Sequence, residues 1–131
     1  MFNIPDSLPP IIITVSDFVT IDRLISETAD KDLPAIALYL ERELERADVV
    51  AEKDLPSYIV RMNSDVTYFD SQTNSNHTAT LVYPKDAETK PGTISLFTPV
   101  GAALIGMKVG NSITWYTSQG GEHTIKILAV S

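Results

Sequence analysis

Apolar residues recur at two different spacings along this chain, and the change falls near Leu55-Pro56. Before it, Phe18, Ile21, Leu24 and Ile25 follow one another at intervals of one, three or four, which describes one face of a helix. Ser16 and Asp17 read as its N-cap and first turn, where a carboxylate suits the helix dipole. A polar turn follows, and Leu33-Pro34 leads into a second helix expected from about Ala35 to Val50. Its apolar seam is Ile36, Ala37, Leu40, Leu44 and Ala47. Glu41, Arg42, Glu43, Glu45, Arg46 and Asp48 occupy its other faces. Two helices joined so closely form an antiparallel hairpin. At about 1.5 Å per residue, 12–16 residues give an arm of roughly 18–24 Å. Ahead of it, the β-branched run Ile11 to Val15 reads as a short extended segment, preceded by a Pro-rich leader from Met1 to Pro10.

After Pro56 the period becomes two. Val66–Phe69, Thr80–Tyr83, Ile94–Phe97, Ser112–Tyr116 and Thr124–Val130 each read as strands. Asp70 to Thr78 and Lys85 to Gly92 read as turns, and Gln119–Glu122 as a hairpin turn. Gly101–Gly106 is a compact helical turn between strands, closed by glycine. The expected fold is therefore α+β: residues 1–55 as leader and short antiparallel coiled coil, residues 56–131 as a small antiparallel sheet carrying one short helix. Phe69, Tyr83, Phe97, Trp115 and Tyr116 are expected in the sheet core rather than in a ligand pocket.

Charge narrows the function. The net charge of −7 lies wholly in residues 1–65, with 13 acids against 6 bases; residues 66–131 carry 4 of each and no Arg. Nucleic-acid binding needs clustered Lys and Arg, so direct contact with DNA or RNA is not expected. The absence of Cys excludes disulfides, thiolate metal sites and Cys nucleophiles. No apolar stretch near the start is long enough to span a bilayer, and no basic segment precedes Ile11, so the chain reads as soluble and cytoplasmic. His77 and His123 lack further ligands at zinc spacing and read as surface histidines. No Gly-x-Ser-x-Gly, Gly-x-Gly-x-x-Gly or phosphate-loop motif occurs. Glu27, Asp30 and Asp32 gather at the hairpin tip, either as a solvated turn or as carboxylates able to hold Mg²⁺ for another enzyme.

The stretch Thr98-Pro99-Val100-Gly101-Ala102-Ala103-Leu104-Ile105-Gly106, then Val109-Gly110-Asn111, resembles the carboxyl-terminal pattern of the bacterial GreA/GreB transcript-cleavage factors. Val60–Ser64, Leu81–Pro84 and the short hairpin make the chain most similar to the Rnk family, small Gre relatives that regulate nucleoside diphosphate kinase. Together these segments carry the resemblance from about Ile11 to Val130. It implies an FKBP-like body with a stunted amino-terminal coiled coil, and a monomer that binds RNA polymerase near the secondary channel. It also implies docking through Phe97, Thr98, Pro99 and Val100; Phe97 stands where some relatives have an acid, and Asn111 where Asp is usual. No catalytic residue, cofactor or metal is implied. An arm this short would keep Glu27, Asp30 and Asp32 from the polymerase catalytic centre. The implied function is a non-cleaving regulator that competes with Gre- or DksA-type factors, its effect on nucleoside diphosphate kinase being indirect. Transcript-cleavage stimulation, prolyl isomerase activity, or an acidic module for another basic partner are the alternatives.

Overall fold

The structure, a computed structural model, describes residues 8–28, 35–87, 90–116 and 120–131. Its first unit is a pair of helices strung between two parallel strands. Strand β1 (Ile12–Thr14) runs into helix α1 (Val15–Thr28); helix α2 (Ala35–Arg46) then leads to β2 (Asp48–Val50). β2 lies parallel to β1, with Ile12 opposite Asp48 and Thr14 opposite Val50. This pairing corrects the expected extent of the second helix, which ends at Arg46 rather than Val50. Val49 and Val50 are β-branched, and the free edge of β1 offers them backbone partners that one more helical turn would forgo. The N-cap also differs: Thr14, not Ser16, accepts the backbone N–H of Asp17, at 3.1 Å.

A 3-10 turn (Glu52–Asp54) leads to a five-stranded sheet in the order β5-β4-β3-β7-β6. The strands are β3 (Asp65–Asp70), β4 (Ser75–Val82), β5 (Thr93–Ser95), β6 (Ser112–Tyr116) and β7 (Glu122–Val130). The sheet is mixed, not purely antiparallel as expected, because β5 pairs parallel to β4. The connection between them carries a four-residue helix α3 (Pro84–Ala87), so α4 (Pro99–Leu104) is not the only short helix of the body. β4 also starts at Ser75, inside the segment expected to be a loop, since polar residues suffice where one strand face meets solvent. Between Thr67 and Tyr68 the β3–β7 register shifts, leaving Leu128 without a partner across the ladder.

One apolar core joins hairpin and sheet. Ile13, Ile21, Tyr39 and Leu40 share it with Val66, Leu81, Leu104, Trp115, Ile125 and Ile127. Of the aromatics expected in the sheet core, Trp115 is buried, Phe69, Tyr83 and Phe97 are half-buried, and Tyr116 is exposed. The strand at the hairpin base is stitched to the body at one residue: Ile12 N–H donates to Gly106 O at 3.1 Å, and Gly106 N–H to Val60 O at 2.9 Å. Gly106 sits at φ +75°, and a Cβ there would lie 2.8 Å from Ile11 Cβ. Only glycine lets the three segments meet that closely.

Candidate functional site

The bend between β5 and α4 is built by hydrogen bonds between its own backbone and the Ser95 and Thr98 hydroxyls. Phe97 N–H donates to Ser95 Oγ at 3.1 Å. Thr98 is extended, with φ −121° and ψ 159°, and its hydroxyl both donates to Ser95 O at 2.7 Å and accepts from Gly101 N–H at 3.0 Å. Pro99 then opens the helix, where its missing N–H costs nothing. Ala102 N–H closes the first turn on Thr98 O at 2.8 Å. The effect is a fixed corner: Pro99 is exposed, Phe97, Thr98 and Val100 are half-buried, and Gly101 to Leu104 are buried against α2, β5 and β7. All four residues expected to dock thus lie together on one turn. None is ionisable, so recognition here rests on shape and apolar contact. Thr98→Ala removes the cap and is expected to cost about 1 kcal/mol in a urea melt.

The hairpin is held to the body by a carboxylate that sequence reading assigned only to the helix dipole. Asp17 Oδ2 accepts from Met62 N–H at 3.2 Å, and Asp17 Oδ1 from the Tyr83 hydroxyl at 3.5 Å. Burial first, then the Asp17 charge, pushes the Tyr83 phenol up to about 12. Above pH ~10 the unfolded chain sheds this proton while the folded chain keeps it, so stability falls as pH rises from ~10 through about 12. Tyr83→Phe is expected to lose less stability than the parent between about pH 9 and about pH 11, read from urea midpoints. Asp17→Ala, which leaves Met62 N–H unpaired, is expected to cost about 1–2 kcal/mol by the same assay.

A second linkage sits on α2. Glu43, expected on a solvated face, is 3% exposed. Its Oε1 accepts from the Tyr39 hydroxyl at 2.9 Å and from Arg46 at 3.0 Å; a further contact joins Arg46 Nε to Oε2. Arg46 also donates to Pro9 O at 2.6 Å, tying the segment before β1 to the helix. The 3–4 spacing of Tyr39, Glu43 and Arg46 was the available signal, masked by the charge of two of the three.

His123 is likewise not a surface histidine. It is buried, with Nε2 2.8 Å from Asp70 Oδ1, and its ring lies 4.4 Å from that of Trp115. Gln72 N–H donates to the same Asp70 oxygen at 2.9 Å. This pair joins the end of β3 to the start of β7. His77, half-buried, pairs through Nε2 with the Thr73 hydroxyl at 2.7 Å. Of the acidic tip, Glu27 is exposed and 3.9 Å from Arg23, a pair worth little in water; Asp30 and Asp32 lie outside the described residues. Among the described residues no cluster of three or more His, Asp or Glu is placed to hold a metal ion, and no helix is long and apolar enough to cross a membrane.

Fold and site together define a small α+β protein in which a helical hairpin is buttressed by a mixed sheet and a capped Thr-Pro corner. The chain belongs to the GreA/GreB family: residues 55–131 match the model of the transcription elongation factor GreA/GreB C-terminus, and residues 9–50 that of the Rnk N-terminus. It is 37% identical over 122 residues to the regulator of nucleoside diphosphate kinase of Escherichia coli K12, covering 93% of this chain and 89% of that one. It is also 36% identical over 81 residues to the transcription elongation factor GreA of Azorhizobium caulinodans, covering 62% of this chain and 52% of that longer one. Among solved structures, a prokaryotic transcription elongation factor GreA/GreB from Nitrosomonas europaea superposes with a TM-score of 0.71 at 34% identity. That match covers 94% of this chain and 98% of the other.

Proposed function

We propose that this chain is a non-catalytic regulator that binds RNA polymerase near its secondary channel and competes there with Gre- or DksA-type factors. Its influence on nucleoside diphosphate kinase is indirect. The observation that carries this reading is the likeness, across nearly the whole chain, to a protein named as a regulator rather than to a longer transcription elongation factor alone. Helix length supports it. At ~1.5 Å per residue, the 14 residues of α1 and the 12 of α2 give an arm of roughly 18–21 Å, too short to carry acidic groups deep into a large enzyme.

The docking element is the corner of Phe97, Thr98, Pro99 and Val100, presented by an FKBP-like body of residues 56–131 that follows the stunted coiled coil of residues 1–55. The protein acts as a cytoplasmic monomer, without direct nucleic-acid contact. An FKBP-like body does not by itself bring isomerase activity, because chemistry belongs to sites and not to folds.

Interferometry against core RNA polymerase tests this directly. Wild type is expected to bind saturably, and Thr98→Asp/Pro99→Ala to bind at least about tenfold more weakly, a loss of ~1.4 kcal/mol. Unchanged binding by the variant would move the interface elsewhere. No binding by either protein, with a Gre factor active on the same surface, would remove polymerase as the partner.

A further inference from the structure

The two helices of the hairpin do not close completely on one another. Between them lies a groove of about 340 Å³ whose apolar wall is Phe18, Ile25 and Leu44 and whose rim carries Asp22, Glu41 and Glu45. Ile25 and Leu44 are largely buried and Phe18 is half-buried, while the three acids are exposed. No Lys or Arg lines the groove, and none of the three carboxylates is in an ion pair among the described residues. An apolar slot ringed by one sign of charge selects its occupant by charge. Residues 1–7 contain no Lys or Arg to meet these carboxylates. A second copy brings a net charge of −7 and is repelled.

We infer that this groove is a second docking surface, distinct from the Thr98 corner, for a basic amphipathic helix of a partner protein. The helix places an apolar side chain between α1 and α2 and Lys or Arg against Asp22, Glu41 and Glu45. Recognition of this kind lays an apolar face into a groove while flanking charges set register and exclude wrong partners. It does not depend on which protein occupies the Thr98 corner.

The test uses the whole chain, isotope-labelled for NMR, and a synthetic helical peptide with Leu along one face flanked by Lys. Saturable shift changes centred on Phe18–Ser26 and Glu41–Glu45 are expected. A peptide with every Lys→Glu should not bind, and one with every Leu→Ser should bind at least about tenfold more weakly. The protein variant Asp22→Lys/Glu41→Lys/Glu45→Lys, altered only at exposed positions, should lose the interaction. Equal binding of the Leu→Ser peptide would reduce the contact to diffuse charge attraction and overturn the inference. So would shift changes centred on any other surface, or no binding. The peptide series is read on the unaltered protein, so it decides the matter even where the triple variant folds poorly.

Discussion

Gly101→Ala is expected to lower the thermal midpoint by roughly 10 °C or more, corresponding to about 3 kcal/mol or more. The cause is not backbone conformation. A Cβ at Gly101 would stand 1.9 Å from Ser95 O and 2.9 Å from Thr98 Oγ1. Ser95 O is a backbone atom that already accepts the Thr98 hydroxyl, so it cannot swing aside as a flexible side chain would. To admit the methyl group, either α4 must rise from β5 or the strand must bend. Both movements uncover Ala102, Ala103 and Leu104, each at most 2% exposed. The better helix propensity of alanine offsets at most about 1 kcal/mol of this. A calorimetric scan reads the effect, and a midpoint within about 3 °C of wild type would mean that α4 can lift from Ser95 at little cost. Because the same contacts shape the Thr98 corner, the proposed polymerase binding should weaken even at temperatures where the variant remains folded.

Glu43→Ala is expected to cost about 2–3 kcal/mol, somewhat below the range for breaking a fully buried ion pair. The discount follows from Arg46, whose side chain is 27% exposed and can recover water. Tyr39, 1% exposed, cannot; its hydroxyl loses its Glu43 partner in the interior. Glu43→Gln keeps an acceptor for that hydroxyl while losing the charge opposite Arg46, and should fall between Ala and wild type. Burial and then the Glu43 carboxylate hold the Tyr39 phenol far above its usual range. Its contribution to stability is therefore intact below pH ~10 and declines as pH rises beyond that. Chemical denaturation at neutral pH gives the ordering of the three proteins. Equal stability of Glu43→Ala and wild type would show that the cluster is replaceable by apolar packing. Since Arg46 also holds Pro9 O, proteolysis ahead of β1 should speed up in the Ala variant.

Much of this protein was legible in its residue pattern. The 3.6-residue period of Phe18 to Ile25 and of Ile36 to Leu44 marked both helices, and period two marked the sheet, because each is a local property of a half-buried element. A short glycine-closed helical turn after β5 was also readable, because proline and glycine punctuate the chain locally. That Thr98 caps it, that Pro99 rather than Gly101 opens it, and that Gly101 packs closely on Ser95 O came only from the fold. Partnerships across the chain were not readable. The end of α2 at Arg46 depends on the edge of β1, more than thirty residues away in sequence. Strand direction was hidden as well, since the composition of Thr93–Ser95 suits a parallel and an antiparallel neighbour equally, and only the α3 crossover turns β5 alongside β4.

The same division runs through the charged residues. Sequence alone determined that the first half is acidic, that no thiol chemistry exists, and that a compact helical turn lies within Gly101–Gly106. Tertiary structure decided which charges are on the surface. Glu43 and His123 carry the same local signals as exposed residues, yet they are buried because Tyr39 and Arg46, and Asp70 and Trp115, converge on them from other turns or other strands. A charged group enters the interior only when its partners are delivered there by the fold, and that delivery is a long-range event. Local periodicity therefore specifies the elements, and the pairing of distant polar groups specifies how they lock.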